Sequence, residues 1–260
     1  MQFKGRPNTI STKKSLYNNW VENILIKPDG SNLDDAVAIW EESLEPSSIK
    51  AVLYVAKEAV RHWSGIDLDI KGHIKRVSRS KQEKEVQALT KEEIVALSAA
   101  CEASDPKLFL PFMLALHTGM RRGEVWGLRW EDVDILNNRI HVKRSYGGPT
   151  KSGKSRIVPI SYALEKVLMA HLPTKSYNCI ERVIRSSWDP NPRLRAACKG
   201  AGVRSINFHA LRHTFATLAL EAGRSPALVS RTLGHATIST TLDLYWSVGK
   251  EGLDMSFLPK

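Results

Sequence analysis

Cysteine and long apolar runs are both scarce in this chain of 260 residues. The three cysteines, Cys101, Cys179 and Cys198, are widely spaced and form neither a CxxC pair nor a disulfide framework. No apolar run approaches the ~20 residues that cross a bilayer, and the first residues lack the apolar segment of a signal peptide. We therefore expect a globular protein of a reducing, cytoplasmic compartment that has no membrane partner.

The chain also lacks internal repeats, low-complexity tracts and any excess of acidic residues. It has 38 Lys and Arg against 27 Asp and Glu, a formal net charge of +11. Residues 1–90 hold 14 basic and 12 acidic side chains, whereas residues 91–260 hold 24 and 15. A basic balance indicates a polyanionic partner, most often nucleic acid, and the alternative is a generally basic enzyme. The positive excess belongs to the second part of the chain.

Helical patterns dominate the first part of the chain. Apolar side chains recur at helical spacing in Ser15 to Ile26, in a segment that opens at Asp34, and in one that runs from Ser47 to a stop at Gly65. These segments predict a small helical bundle.

Residues 71–86 carry six basic and two acidic side chains and little apolar periodicity. This composition predicts a basic linker between two domains, and a solvated surface loop is the alternative. A linker that follows a phosphate backbone would contact it through basic side chains. The candidates for such DNA contacts are Lys75, Arg76 and Arg79.

The second part of the chain predicts helices around a small antiparallel sheet. A capped helix begins at Thr90, and the apolar segment Leu108 to Leu116 predicts a buried helix that Gly119 ends. Strand patterns near residues 140–146 and 155–160 are joined by a turn over residues 147–153. Further helices are predicted at about 162–171, 188–200, 208–222, 226–233 and 238–246. The fold class is therefore mainly α (α+β), with domains at residues 1–85 and 86–260.

Two arginines in this second domain are suited to clamp a phosphate, because a guanidinium stays charged and meets two oxygens at once. Arg121 lies three residues before Glu124, so the acid can brace the guanidinium on a helix; the alternative is an exposed ion pair. His209 and Arg212 are also three residues apart. Leu211, Phe215 and Leu218 form the natural core face of that helix. We therefore expect the pair to face away from the core, at a rim or in a cleft.

Three further residues complete a set that could split a phosphodiester without a metal ion. Lys151 lies in the turn between two strands, His235 follows Gly234, and Tyr245 ends a short helix, where a core aromatic is the alternative. Splitting the bond requires a nucleophile, cations for the phosphate oxygens and a proton donor for the leaving oxygen.

Zinc is the competing interpretation of the histidines. His209 and His213 have i,i+4 spacing, and His235 could add a third ligand. The HExxH pattern, however, needs a glutamate where Ala210 stands.

The ordered set of motifs resembles the tyrosine recombinase (phage integrase) family over about residues 90–247. The motifs are Thr118–Glu124, Lys151 in the hairpin, His209–Thr214, Leu233–His235, and Thr240-Thr241 followed by Tyr245. The resemblance implies that Tyr245 is the nucleophile that forms a 3′-phosphotyrosyl link. It also implies that Arg121 and Arg212 clamp the phosphate and that Lys151 is the general acid. By the same resemblance, His209 assists proton transfer, His235 acts near the transition state, and Glu124 is a supporting acidic residue.

The same resemblance implies a site-specific DNA recombinase that needs no metal, cofactor or ATP. The helical first segment then corresponds to a core-binding domain. The implied partners are double-stranded DNA sites. The protein is expected to be a monomer away from DNA and to assemble as four protomers on two sites. The expected location is the cytoplasm, at the nucleoid or in the host cell if the protein is phage-encoded. The alternatives are a type IB topoisomerase and an inactive DNA-binding relative.

Overall fold

The computed structural model describes residues 3–5, 7–25, 27, 29–79, 88–173, 181–235 and 237–248, without the side chains of residues 7, 8, 78, 79 and 245–248. The chain divides into two compact units, Met1–Glu85 and Val86–Lys260. No helix among the described residues is long and apolar enough to cross a bilayer. Cys179 lies outside the described residues, and Cys101 and Cys198 are buried free thiols.

The described residues of the first unit form a bundle of four α-helices. They are α1 (Pro7–Leu16), α2 (Leu33–Ser43), α3 (Pro46–Ser64) and α4 (Lys71–Arg79), with a π-helical turn at Tyr17–Val21 after α1. The indole of Trp40 is fully buried in the core of this unit. Its Nε1 donates a hydrogen bond to the carbonyl of Trp20 at 2.9 Å, which joins α2 to the turn. The predicted helix Ser15 to Ile26 is therefore divided between α1 and this turn.

The predicted linker is wrong for Lys71–Arg79, which form α4. Ile70, Ile74 and Val77 recur at helical spacing, and Ile70 and Val77 are buried in the core of the first unit. Lys75 and Arg76 are exposed, and Nε of Arg76 lies 3.1 Å from a carboxylate oxygen of Glu41. The helical periodicity was missed because only three apolar residues carry it and basic side chains lie between them. The side chain of Arg79 and residues 80–86 of the predicted linker lie outside the described part.

The second unit is helical around a small sheet, which confirms the predicted fold class. The sheet strands are β1 (Val133–Asp134), β2 (Arg139–Val142) and β5 (Arg156–Pro159), antiparallel in the order β1-β2-β5. A separate ribbon pairs β3 (Arg144–Ser145) with β4 (Gly148–Pro149). The helices are α5 (Lys91–Ser104), α6 (Pro106–Thr118), α7 (Arg122–Gly127), α8 (Tyr162–Ala170), α9 (Pro190–Gly200), α10 (Phe208–Glu221), α11 (Pro226–Leu233) and α12 (Ser239–Val248).

Helix α6 lies at the centre of the second unit and packs against α5, α8, α9 and α10. Leu108, Phe112 and Leu114 are fully buried, as the apolar run predicted. The helix ends at Gly119, which has a φ of 62°. A Cβ at this position would overlap the side chains of Leu233 and Phe215, so only glycine fits. This close approach brings the end of α6 against α10 and α11.

Candidate active site

Five of the side chains that the sequence singled out line one cavity of about 380 Å³ in the second unit. They come from three turns and one helix. Arg121 precedes α7, Lys151 lies in the turn before β5, and His235 follows α11, while α10 supplies two residues. The cavity is lined by Arg121, Lys151, Ser152, His209, Arg212, Gly234, His235, Thr237 and Thr240. Among the described residues this lining contains no carboxylate, so the cavity is suited to an anion.

Arg212 is buried, with 4% of its surface exposed, although His209 one turn before it is exposed. The expectation that both residues face away from the core is therefore wrong for Arg212. The reason is the close packing of α10 on the end of α6. There Nη1 of Arg212 donates to the carbonyl of Gly119 at 2.8 Å. Phe215 and Leu218, which were assigned to the core face, are only half-buried.

The second terminal nitrogen of Arg212, Nη2, is buried and has no hydrogen-bond partner among the described residues. A buried donor without a partner is uncommon and calls for an explanation. Arg212 lines the cavity, and an anion bound against its guanidinium is the kind of partner that this donor lacks.

The electrostatics of the cavity agree with an anionic ligand. Burial, and next the charge of Arg121, lower the pKa of Arg212 to about 9, so the guanidinium stays protonated at neutral pH. Burial also lowers the pKa of His209, and the positive charge of Arg212 lowers it further. A phosphate in the cavity would relieve this mutual repulsion of cations.

The carboxylate of Glu124 is 98% buried and holds two arginines behind the cavity. Its Oε2 accepts a hydrogen bond from the backbone N–H of Arg121 at 2.8 Å, and its Oε1 accepts one from Nη1 of Arg121 at 3.1 Å. Arg156 donates to the same two oxygens, at 3.0 Å from Nη1 and 2.7 Å from Nη2. The i,i+3 contact between Glu124 and Arg121 is thus part of a larger network.

Arg156 is a residue of this site that the sequence reasoning missed. Its Nε donates to the carbonyl of Thr232 at 2.6 Å, which ties β5 to the end of α11. Nη2 of Arg121 donates to the carbonyl of Gly234 at 3.2 Å in the next turn. The alternation of side chains along β5 could have indicated Arg156. Position 156 lies on the same face of the strand as the buried Val158, and a charged side chain on a buried face needs a partner.

The network keeps Glu124 ionised despite its burial. Burial alone would raise the pKa of this carboxyl group, but the hydrogen bonds and charge of Arg156, and then those of Arg121, lower it overall. A permanent negative charge behind the cavity therefore balances the two guanidinium groups.

The position of His235 is fixed by a hydrogen bond with a residue of α12. Its Nδ1 lies 2.7 Å from Oγ1 of Thr241, whose side chain is fully buried. Thr241 belongs to the motif that the sequence singled out, but it was given no role there. Tyr245 lies on α12, four residues after Thr241, and its side chain lies outside the described part.

Among the described residues, no three side chains of His, Cys, Asp or Glu are grouped so that they could hold a metal ion. His209 and His235 share the cavity with two arginines instead. The zinc interpretation of the histidines therefore has no geometric support in the described part.

The buried network predicts a strong coupling between Arg156 and Glu124. We expect Arg156→Met to lower the free energy of unfolding by about 3–5 kcal/mol, because it leaves a buried carboxylate with one of its two partners. We expect the loss in the double variant Glu124→Gln/Arg156→Met to be at least about 1 kcal/mol smaller than the sum of the losses in its two single variants. Urea denaturation followed by circular dichroism measures the free energy of unfolding of these two variants and of the single variant Glu124→Gln.

The matched control for this cycle is Arg193→Met, which breaks the ion pair of Arg193 with Asp105 at 2.6 Å. Its side chain is 43% exposed, so we expect a loss below about 1 kcal/mol. Strictly additive losses in the Glu124 and Arg156 cycle would show that the network is not coupled.

His235 is predicted to stay neutral at physiological pH. Burial, and next the charges of Arg212 and Arg121, lower its pKa to about 4. Because an unfolded histidine takes up its proton near pH 6.5, this residue reduces stability as the pH falls from about 6.5 to 4. The imidazole resonances of His235 in the DNA-free protein should not titrate between pH 5.5 and 8 in NMR spectra. A midpoint near 6.5 would contradict the electrostatic description of the cavity.

Comparison with known proteins agrees with the arrangement of the second unit. The profile of the phage integrase family matches residues 87–251. The tyrosine recombinase XerA of Saccharolobus solfataricus is 30% identical over 226 residues, which are 86% of this chain and 70% of that protein. The integrase of Escherichia phage P2 is 31% identical over 208 residues, 77% of this chain and 56% of that integrase. The chain thus spans about half the length of the phage relative.

Among solved structures, the Tn1549 transposon integrase in complex with a circular intermediate DNA shares the fold. Its TM-score is 0.74 at 18% identity, and the match covers 93% of this chain and 90% of that chain. With the profile match across the second unit and the 30% identity to XerA along most of the sequence, the chain belongs to the phage integrase family.

Proposed function

We propose that the protein is a site-specific DNA recombinase that cuts and rejoins DNA through a 3′-phosphotyrosyl intermediate, without a metal ion or ATP. The observation that carries the proposal is the buried, unpartnered Nη2 of Arg212, a residue that lines a cavity together with other cations. A phosphodiester of DNA supplies the anion that this donor needs. Family membership favours this reaction over the topoisomerase and the inactive DNA-binding alternatives.

The cavity residues would stabilise the charge that builds up on the phosphate during attack. Arg121 and Arg212 would each donate to the non-bridging oxygens, because their positions are fixed by Glu124, Gly119 and Gly234 before DNA binds. Donors held in place in this way need no reorganisation when the reaction occurs. The two guanidinium groups take the part that a metal ion has in other phosphodiesterases.

The covalent step exchanges one phosphate ester for another. The phenolic oxygen of Tyr245 attacks phosphorus, the bond from phosphorus to the 5′ oxygen breaks, and the 3′ phosphate remains on the tyrosine. His209, neutral because its pKa is lowered, accepts the phenolic proton, and Lys151 donates a proton to the leaving 5′ oxygen. In the second step Lys151 accepts the proton of a 5′-hydroxyl of another strand, this oxygen attacks phosphorus, the bond from phosphorus to Tyr245 breaks, and His209 returns its proton to the phenolic oxygen. Each step replaces one phosphate ester by another, so strand exchange needs no ATP.

His235 would act as a hydrogen-bond donor to the phosphate. If the Thr241 hydroxyl donates to Nδ1 of His235, the ring proton lies on Nε2 and is available to a phosphate oxygen. In the opposite arrangement Nδ1 of His235 donates to Oγ1 of Thr241. The proton of this buried hydroxyl would then have no acceptor among the described residues, where Nδ1 is the hydrogen-bond partner of Oγ1. The first arrangement satisfies both Nδ1 and the Thr241 hydroxyl, so we assign the proton to Nε2.

Replacing Thr241 tests this role of His235. We expect Thr241→Val to slow formation of the covalent DNA adduct about tenfold or more, because valine keeps the shape but removes the hydrogen bond that fixes the tautomer. Thr241→Ser keeps the hydroxyl and should restore most of the rate. In ¹⁵N NMR spectra, wild-type His235 should show a protonated Nε2 and the valine variant a mixture of tautomers. Equal rates for the valine and serine variants would contradict the assignment.

The setting of the reaction extends the same proposal. Two DNA sites and four protomers would form the assembly in which strands are exchanged, with a monomeric protein off DNA, in the cytoplasm where the DNA lies. The first unit would bind the DNA beside the cleaved position, and the exposed Lys75 and Arg76 on α4 support this. Family membership and the excess of positive charge support the DNA partner.

Replacing the nucleophile tests the proposed function directly. Wild-type protein is incubated with sheared genomic DNA of its source and with the DNA that flanks its gene, and covalent adducts are isolated under denaturing conditions and sequenced. We expect recurrent fragments with wild type and none with Tyr245→Phe, which lacks the attacking hydroxyl but should retain DNA affinity. Tyr162→Phe, which changes an exposed tyrosine on α8, is the matched control. Adducts at wild-type levels with Tyr245→Phe would refute the proposal.

A further inference from the structure

A second cavity of about 350 Å³ adjoins the first one in the second unit. The two cavities share Ser152, Gly234 and His235, so they adjoin at this turn, and we call the pair the groove. Four residues line the second cavity but not the first: Lys154, Ser155, Arg156 and Arg231. None of the described residues in its lining is acidic. The mechanism above uses one phosphate and leaves this second cavity without a role.

The charge of the second cavity comes from Lys154 and Arg231. Both side chains are exposed, and neither forms an ion pair with a described residue. Arg156 forms part of the wall, but its guanidinium donates to Glu124 and to the carbonyl of Thr232. Two uncompensated cations and the hydroxyl of Ser155 therefore remain for an anionic ligand.

A single tight turn supplies a lysine to each cavity. Lys151 lines the first cavity, and Lys154 lines the second. The turn is closed internally, because the hydroxyl of the buried Thr150 donates to the carbonyl of Lys154 at 2.8 Å and the N–H of Gly153 donates to the carbonyl of Thr150 at 3.0 Å. Gly153 has a φ of 74°, which a side chain would strain. The distance between the two lysine positions along the groove is therefore fixed by the fold.

We propose that the second cavity binds the DNA phosphate next to the scissile one on the cleaved strand, through Lys154, Arg231 and Ser155. This inference rests on the proposed function, because the first cavity must hold the scissile phosphate. A DNA strand is a regular row of anions, so a strand seated in the first cavity continues into an adjoining one that is also positive. The second contact holds the strand on both sides of the Gly234-His235 turn and so fixes the scissile phosphate against the arginines.

The first test needs no knowledge of the recombination site. The affinity for a random-sequence duplex of 30 base pairs is measured over a range of salt concentrations for wild type and for Lys154→Gln/Arg231→Gln. We expect the slope of log K against log salt to fall by about 0.9, the value for the loss of one phosphate contact. The control Arg195→Gln/Lys199→Gln removes two exposed cations of α9 that line neither cavity. An unchanged slope for the first pair, or an equal fall for both pairs, would overturn the proposal.

The second test locates the phosphate. In the duplex recovered from the adduct experiment, single phosphates around the scissile one are replaced by uncharged methylphosphonates. At one neighbouring position we expect wild-type affinity to fall about tenfold, as for the loss of a charge-assisted contact. Lys154→Gln/Arg231→Gln should bind the native duplex about tenfold more weakly and should lose nothing further from that replacement. Losses that multiply at every neighbouring position would show that the cavity does not hold a phosphate of this strand.

The two proposals fail in different ways. Absence of any wild-type adduct contradicts the proposed recombinase function, whereas adducts together with multiplying losses contradict only the second phosphate site.

Discussion

The buried carboxylate of Glu124 joins the three chain segments on which the cavity depends. It accepts hydrogen bonds from Arg121 at the start of α7 and from Arg156 on β5, while Arg156 also binds the carbonyl of Thr232 at the end of α11. Burying a cation is costly unless an opposite charge or hydrogen bonds compensate it. Glu124 provides this compensation for Arg121, which lines the cavity, and for Arg156 beside it, while the described lining contains no carboxylate that would compete with an anion.

Arg212 is compensated differently, and the difference gives the site its chemistry. It lies against the end of α6, where the carbonyl of Gly119 accepts from one nitrogen and the other nitrogen has no partner among the described residues. The hydrogen bonds of Glu124 need no ligand, whereas we propose that a bound anion supplies the acceptor that Nη2 of Arg212 lacks. On this proposal, a phosphate that becomes more negative during attack gains the most from the buried cation.

Much of the fold and the identity of the cavity residues could be predicted from the sequence, because local patterns determine them. The apolar run of α6, its end at Gly119 and the hairpin turn that carries Lys151 are features of neighbouring residues. The burial of Arg212, the role of Arg156 and the bond from Thr241 to His235 could not be predicted, since each depends on contacts between distant segments. The helix α4 was missed for a local reason: its three core residues are separated by basic side chains.

We infer that the unpartnered nitrogen of Arg212 and the guanidinium of Arg121 bind the scissile phosphate. A crystal structure of Tyr245→Phe with the duplex recovered from the adduct experiment would show these contacts. We expect a non-bridging oxygen of the scissile phosphate within hydrogen-bond distance of Nη2 of Arg212, a second contact from Arg121, and an unchanged hydrogen bond from Nη1 of Arg212 to Gly119. A scissile phosphate bound elsewhere, with Nη2 still lacking an acceptor, would contradict it.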